Sequence, residues 1–192
     1  MTKPIIAVIA EDETDCNTIK KVIHRVLGED IKIKPWASKG CSTLKRKLTA
    51  QMKELSRRGC NVFVIIHDLD RNPKTGSLNN ENELREILKS KIDEAKLIGE
   101  NYICIPVEEL EAWFWSDPEV VAYIGQDKGK AHPNPHQIKS PKEKLIALSK
   151  GENRKPRYST NMNPELAEKL DFELCSARCL SFRNLLDFLR SL

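Results

Sequence analysis

Glu11, Asp68 and Asp70 are the residues whose types and spacing point to chemistry. Glu11 opens the acidic run EDETD at residues 11–15, directly after the apolar stretch PIIAVIA. Asp68 and Asp70 sit in HDLD, directly after NVFVII. Short continuous apolar runs predict strands buried on both faces. In an open α/β sheet, ligands bind beyond the carboxyl ends of parallel strands. If both strands are central, the two acidic groups emerge side by side. Residues i and i+2 of an extended segment point the same way, so Asp68 and Asp70 can face one ion while Leu69 turns into the core. Carboxylates held that close raise each other's pKa. Mg²⁺ or Mn²⁺, hard cations that prefer oxygen ligands, relieve the repulsion. A third acidic set, Glu108, Glu109 and Glu111, follows a further predicted strand and can supply more ligands. The competing use of acidic residues after strands is helix capping, a role open to Asp12, Thr14 and Asp15.

The elements that must position these groups alternate along the chain. Strands are predicted at residues 4–10, 31–36, 61–66 and 102–106. Helical spacing of apolar residues marks 16–27, a second helix through Leu44, Leu48, Met52 and Leu55, and a third over 83–97. Residues 71–80 carry Pro73 and Gly76 and read as a loop, and residues 108–115 are expected to open another helix. This βα alternation predicts an α/β fold with a mostly parallel sheet of about four strands flanked by helices. From 125 to 141 the composition turns to proline, glycine and lysine, which reads as a loop. Short helices without strands are expected at 141–148, 164–170 and 181–192. The expected organisation is therefore a core over residues 1–124 and a helical C-terminal lobe over 125–192.

Composition narrows the class. The 192 residues are 40% hydrophobic and 31% charged, enough for a real core under a solvated surface, and the formal charge of +4 permits nucleic acid without arguing for it. Six cysteines are scattered with no CxxC pair, so reduced buried thiols in a cytoplasmic protein are expected. The first ten residues lack a cleavage pattern, and no apolar run reaches the roughly 20 residues that span a bilayer. No membrane association is expected. A GxxxxGK[ST] phosphate loop is absent, which argues against ATP hydrolysis by this chain.

Several other residues have simpler readings. By alternation His67 points away from Asp68 and packs in the core. His132 and His136 are separated by two prolines that forbid a helix, so they are not expected to share a metal. Trp113, Trp115, Cys175 and Cys179 read as core residues. The basic region singled out runs through Lys128, Lys130, Lys139, Lys142 and Lys144 to Arg154, Lys155, Arg157 and Tyr158. It is either a solvated face or a phosphate-backbone contact, with Lys128, Lys130, Arg154 and Arg157 as candidate nucleic-acid-binding residues.

The motif order, Glu after the first strand and Asp-x-Asp after a later one, resembles the Toprim fold of topoisomerases, primases and overcoming-lysogenization-defect nucleases. AEDETD at 10–15 is similar to the strand-then-EGxTE segment of that fold, and VIIHDLDRN at 64–72 to its strand-then-DxD segment. PVEELEAWFWSD at 106–117 resembles the PxxExEAWLLAD signature of the Toprim-like domain-of-unknown-function family 4276. SPKEKL, RYSTNMNPELAEKLD and CLSFRNLLDFL resemble its C-terminal part. The resemblance implies a Mg²⁺- or Mn²⁺-dependent phosphodiester site. Glu11 would be a metal ligand or general base, Asp68 and Asp70 metal ligands, and Glu109 and Glu111 the two glutamates of the EAW signature. Asp12 departs from the pattern, standing where that family often has glycine. The resemblance also implies a nucleic-acid substrate, an ABC-type ATPase partner in defence against phage, and room for a homo-oligomer, since two such chains can share one double-strand cut. Three functions follow: a nuclease or nuclease subunit, a non-catalytic effector-binding subunit of an ATPase complex, or a metal-dependent phosphatase or phosphotransferase.

Overall fold

The two strongest apolar runs form the centre of the sheet, because only central strands need apolar residues on both faces. The computed structural model describes residues 3–151 and 155–192. Its strands β1 (Ile5–Ala10), β2 (Lys32–Ala37), β3 (Val62–Ile66) and β4 (Glu100–Cys104) lie in the order β2-β1-β3-β4. All three neighbouring pairs are parallel. β1 and β3 are central and buried, whereas β2 is a half-exposed edge strand that tolerates Pro35. Gly99 stands at the entry to β4 with φ of +150°, where a Cβ would come within 2.4 Å of the Asn61 carbonyl oxygen. Only glycine allows that approach.

Alternation divides the core into two layers. Ile6, Val8, Val64 and Ile66 face the helix α1 (Glu13–Leu27), while Ala7, Ile9, Phe63 and Ile65 face α2 (Cys41–Arg57) and α3 (Glu81–Ala95). Asp12 caps α1, its Oδ1 accepting from the Asp15 N–H at 2.9 Å.

The C-terminal helices α4 (Pro118–Gly125), α5 (Pro141–Leu148), α6 (Asn163–Lys169), α7 (Phe172–Arg178) and α8 (Leu180–Arg190) gather on the α1 side. Leu166, Leu170, Phe182, Leu185 and Leu186 share one apolar cluster with Ile6 and Val8. Local differences from the sequence expectation appear: β4 lies two residues earlier than the expected 102–106, and α4 is a separate helix. Residues 110–116 wind as a 3-10 helix, Leu110–Ser116, and not as an α-helix. It follows Glu108 at φ of +66° and is buried nearly all round. The helix α7 is additional, a seven-residue element too short for its apolar spacing to show. Among the described residues no helix is long and apolar enough to cross a membrane.

Arg25 of α1 ties the two parts of the chain together. Its Nη1 donates to the carbonyl oxygens of Ala167 and Leu170, both at 2.7 Å, ending α6, and its guanidinium lies 3.7 Å from the Phe172 ring centre. Charged hydrogen bonds of this kind contribute about 1.5–3 kcal/mol. Arg25→Ala should therefore lower stability by about 2 kcal/mol, a melting-temperature loss of about 4–8 °C in a chain of this length, measurable by calorimetry.

Candidate metal centre

The chain leaves β1 toward one edge of the sheet, at β2, and β3 toward the other, at β4. A sheet wound this way opens a crevice between the carboxyl ends of its two diverging strands. Glu11 immediately follows β1 at that crevice. Beyond β3 the segment HDLD stays extended: the His67 N–H donates to the Cys104 carbonyl at 3.1 Å, and the Leu69 N–H to the Pro106 carbonyl at 2.8 Å. Alternation therefore persists past the strand. Leu69 enters the α2–α3 core layer, and Asp68 turns the other way.

Asp68 is the centre of the arrangement. Glu11 Oε1 accepts from the Asp68 N–H at 3.3 Å and lies 3.3 Å from His67 Nδ1, which is also 2.8 Å from the Asp68 carbonyl. Asp68 Oδ1 is buried and has no hydrogen-bond partner among the described residues. Burial pushes the Asp68 carboxyl well above its ordinary range, and the charges of Asp15, Glu11, Glu111 and Glu109 push it further. Burial and then the Asp70 charge raise Glu11 to about 7, against a hydrogen bond from the Asp68 backbone. Burial, Asp12, Glu111 and Glu11 raise Asp15 to about 8. His67 is buried as expected, and burial lowers its pKa. Its Nε2 has no partner among the described residues, and it borders the same cavity as Asp68 and Asp70. It is thus a packed histidine that also touches the site.

The 3-10 helix delivers the third acidic set with divided roles. Glu108 is buried in an ion pair with Arg71, whose guanidinium meets one of its oxygens twice. Glu109 accepts from Lys142 Nζ at 2.6 Å and from the Lys142 N–H at 3.1 Å. Glu111 Oε1 accepts from Asn163 Nδ2 at 3.0 Å, and Asn163 Oδ1 accepts from the buried Tyr158 hydroxyl at 2.7 Å. Burial raises the Glu111 carboxyl, while Asn163 partly offsets the shift. Burial alone would lower the pKa of Lys142, but its pairing with Glu109 and the charge of Glu111 raise it, holding the ammonium charged.

Glu11, Asp68, Asp70, Glu109 and Glu111 thus meet around one crevice. Four residues join them that the sequence alone does not place there. Asp15 is a capping candidate by sequence, but Asp12 takes the cap and leaves the Asp15 side chain to the crevice. Lys142 and Tyr158 belong by sequence to the basic region, and Asn163 carries no signal by itself. Of the candidate nucleic-acid-binding residues, Lys128, Lys130 and Arg157 are exposed, and Arg154 lies outside the described residues. Trp113, Cys175 and Cys179 are buried in the core. His132 Nδ1 accepts from the Asn134 N–H at 3.0 Å.

The donor chemistry suits a hard divalent cation: clustered carboxylate oxygens, one of them buried and unpartnered. As the side chains stand, no three Asp, Glu, His or Cys groups among the described residues are close enough to enclose an ion. Lys142 and Asn163 instead hold two of the carboxylates.

A pH dependence follows for the metal-free protein. Glu11 and Asp15 release their protons near pH 4 when unfolded but near 7 and 8 when folded. The folded state therefore binds more protons across that window, and stability falls as pH rises through it. Thermal melts in EDTA should show a loss between about pH 5 and about pH 8. Asp68→Asn, which removes one buried charge, should flatten that loss and raise stability at the upper pH by about 1 kcal/mol or more.

No curated protein and no solved structure matches this chain. A family model does, Domain of unknown function (DUF4276), over residues 10–190, and the chain belongs to that family.

Proposed function

We propose that this chain is a Toprim-like, Mg²⁺-dependent nuclease or nuclease subunit that cleaves phosphodiester bonds in nucleic acid. The observation that carries the reading is the buried, unpartnered Oδ1 of Asp68 facing the charges of Asp15, Glu11 and Glu111. A buried carboxylate without a partner costs folding energy, and a site that keeps it is built for a ligand of opposite charge. The order of motifs supports the nuclease class, since Glu11 after β1 and Asp68-Leu69-Asp70 after β3 are the elements on which the Toprim resemblance rests.

Asp68, Asp70 and Asp15 would hold the ion, with Glu111 closing the inner wall. When bound, a divalent ion neutralises charge on the attacking and leaving oxygens of the phosphate. Glu11, set at about 7 by burial and Asp70, is matched to accepting a proton from water near neutral pH. His67 Nδ1, 3.3 Å from Glu11 Oε1, orients that carboxylate. Lys45 borders the crevice beside Asp68 and Asp70 and offers positive charge to a phosphate. The wider setting, action in the cytoplasm beside an ABC-type ATPase in phage defence, rests on the resemblance alone. The chain has no GxxxxGK[ST] loop, so ATP hydrolysis falls to the partner.

Two measurements test the reading. Mn²⁺ that binds only the folded state should raise the melting temperature, by the equivalent of about 2.7 kcal/mol at 100 times its Kd, and Asp68→Asn should lose most of that gain. Cleavage of DNA or RNA, alone or with the reconstituted ATPase, should require Mg²⁺ or Mn²⁺ and fall about 10²- to 10⁴-fold in Glu11→Ala and Asp70→Ala. Activity that survives both substitutions would rule the mechanism out. Metal binding without cleavage under every condition would assign the chain to a non-catalytic subunit.

A further inference from the structure

Between residues 32 and 58 the chain carries nine Lys or Arg and one acidic residue, Glu54. The cations span a strand, a loop and a helix, with Lys45, Arg46 and Lys47 contiguous in sequence. The fold gathers four of them at the carboxyl end of β2 and the first turns of α2. Thr43, Arg46, Lys47 and Ala50 follow helical i, i+3, i+4, i+7 spacing and share one face of α2. With Trp36 and Lys39 they line an open cavity of about 460 Å³. Lys45, next along the helix, borders the crevice with His67, Asp68 and Asp70. Lys45 and Arg46, neighbours on α2, thus stand one at the crevice and one at the cavity.

Charge marks this surface as a receiver of anions. Among the described residues, none of Lys39, Lys45, Arg46 and Lys47 is held in an ion pair. Lys142 and Arg71, by contrast, are spent on Glu109 and Glu108. Lys39, Arg46 and Lys47 are exposed, while Trp36 is half-buried within the same cavity. Trp36 packs against the α2–α3 core layer and also lines the cavity, and unpaired cations beside such a ring suit a chain of phosphates whose bases are free to stack. A duplex keeps its bases stacked on each other and gives Trp36 nothing to hold. Lys128, Lys130 and Arg157 have no hydrogen bond or ion pair to the crevice among the described residues.

We propose that this surface is a track for single-stranded nucleic acid. Lys39, Arg46 and Lys47 take phosphates, Trp36 stacks a base, and Lys45 leads the backbone to the carboxylate crevice. The inference rests on the nuclease reading of that crevice, but the binding it describes does not require cleavage.

The test is binding of a labelled single-stranded oligonucleotide to the full chain in EDTA, followed by fluorescence anisotropy over a range of salt. Arg46→Glu with Lys47→Glu should weaken binding at least about tenfold and reduce the log–log salt slope by roughly 0.7 for each phosphate no longer neutralised. Trp36→Ala should weaken it by about fivefold or more, with Trp36→Phe keeping most of the affinity. Reversal of Lys128, Lys130 and Arg157 should leave it unchanged. Thermal melts establish that each variant is folded. If Trp36→Ala is not, Trp36→Phe and the charge reversals decide. No binding by the wild type, an unchanged slope in the α2 reversal, or equal affinity for duplex with no effect at Trp36 would each overturn the track. Cleavage unaffected by the α2 reversal would also overturn it and leave the crevice reading standing. Binding lost in the α2 reversal, from a wild type that never cleaves, would support the track and overturn the crevice reading.

Discussion

Repulsion among buried and half-buried carboxylates is the constraint on which the rest of this structure turns. Glu11, Asp15, Asp68 and Glu111 come from two strand ends, one helix and one 3-10 helix, and the charges of Glu11, Asp15 and Glu111 all raise the pKa of Asp68. A fold meeting only the demand for stability would separate such groups or pair each with a cation. Here the pairing is incomplete. Lys142 takes Glu109 and Asn163 takes Glu111, while Asp68 Oδ1 is left with no partner. The deficit falls at the position reached by both diverging strands.

Positioning that deficit is the task of the sheet. β1 and β3 are adjacent and parallel, so their ends are level and their extensions side by side. The pairing of Leu69 with Val107 carries β-type alternation past the formal end of β3. It sends Leu69 into the core layer of α2 and α3 and keeps Asp68 in the crevice. A one-residue slip would exchange the two, burying a carboxylate among leucines and exposing a leucine to the crevice. The hydrophobic layer thus fixes the register on which the polar site depends.

What the sequence displays follows the range of the interactions involved. PIIAVIA and NVFVII are legible as central strands because burial on both faces leaves no polar position. Glu11, Asp68 and Asp70 are legible because they stand within four residues of those strands. Helix α7 and the 3-10 winding of Leu110–Ser116 are not, since the first is too short to show a period and the second is buried on nearly every side, which leaves no period to reveal its winding. Asp15 is ambiguous in sequence, as a cap and a ligand candidate share one acidic run. The choice is made by Asp12, whose side chain reaches the Asp15 N–H. Lys142, Tyr158 and Asn163 cannot be placed from sequence at all. Their relation to the crevice is set by packing between segments separated by more than thirty residues, which no local pattern records. The run Lys45-Arg46-Lys47 is visible in the sequence, but Trp36 and Lys39 join it only after β2 and α2 are brought together.

The same long-range packing explains why the C-terminal helices belong to the site as much as to the core. Arg25 of α1 ends α6 by binding its last carbonyls, and α6 begins at Asn163, which holds Glu111. The helix that carries Asp15 therefore also anchors the helix whose first residue steadies the opposite wall. On the other side α5 presents Lys142 to Glu109 from its first turn. Carboxylates that repel one another can be kept at fixed separation only if each is braced from behind. The braces here come from residues 142, 158 and 163, while the acids come from residues 11 to 111. The repulsive half of the site lies in the α/β core and the restraining half in the C-terminal helices. The crevice is therefore complete only when the two pack together.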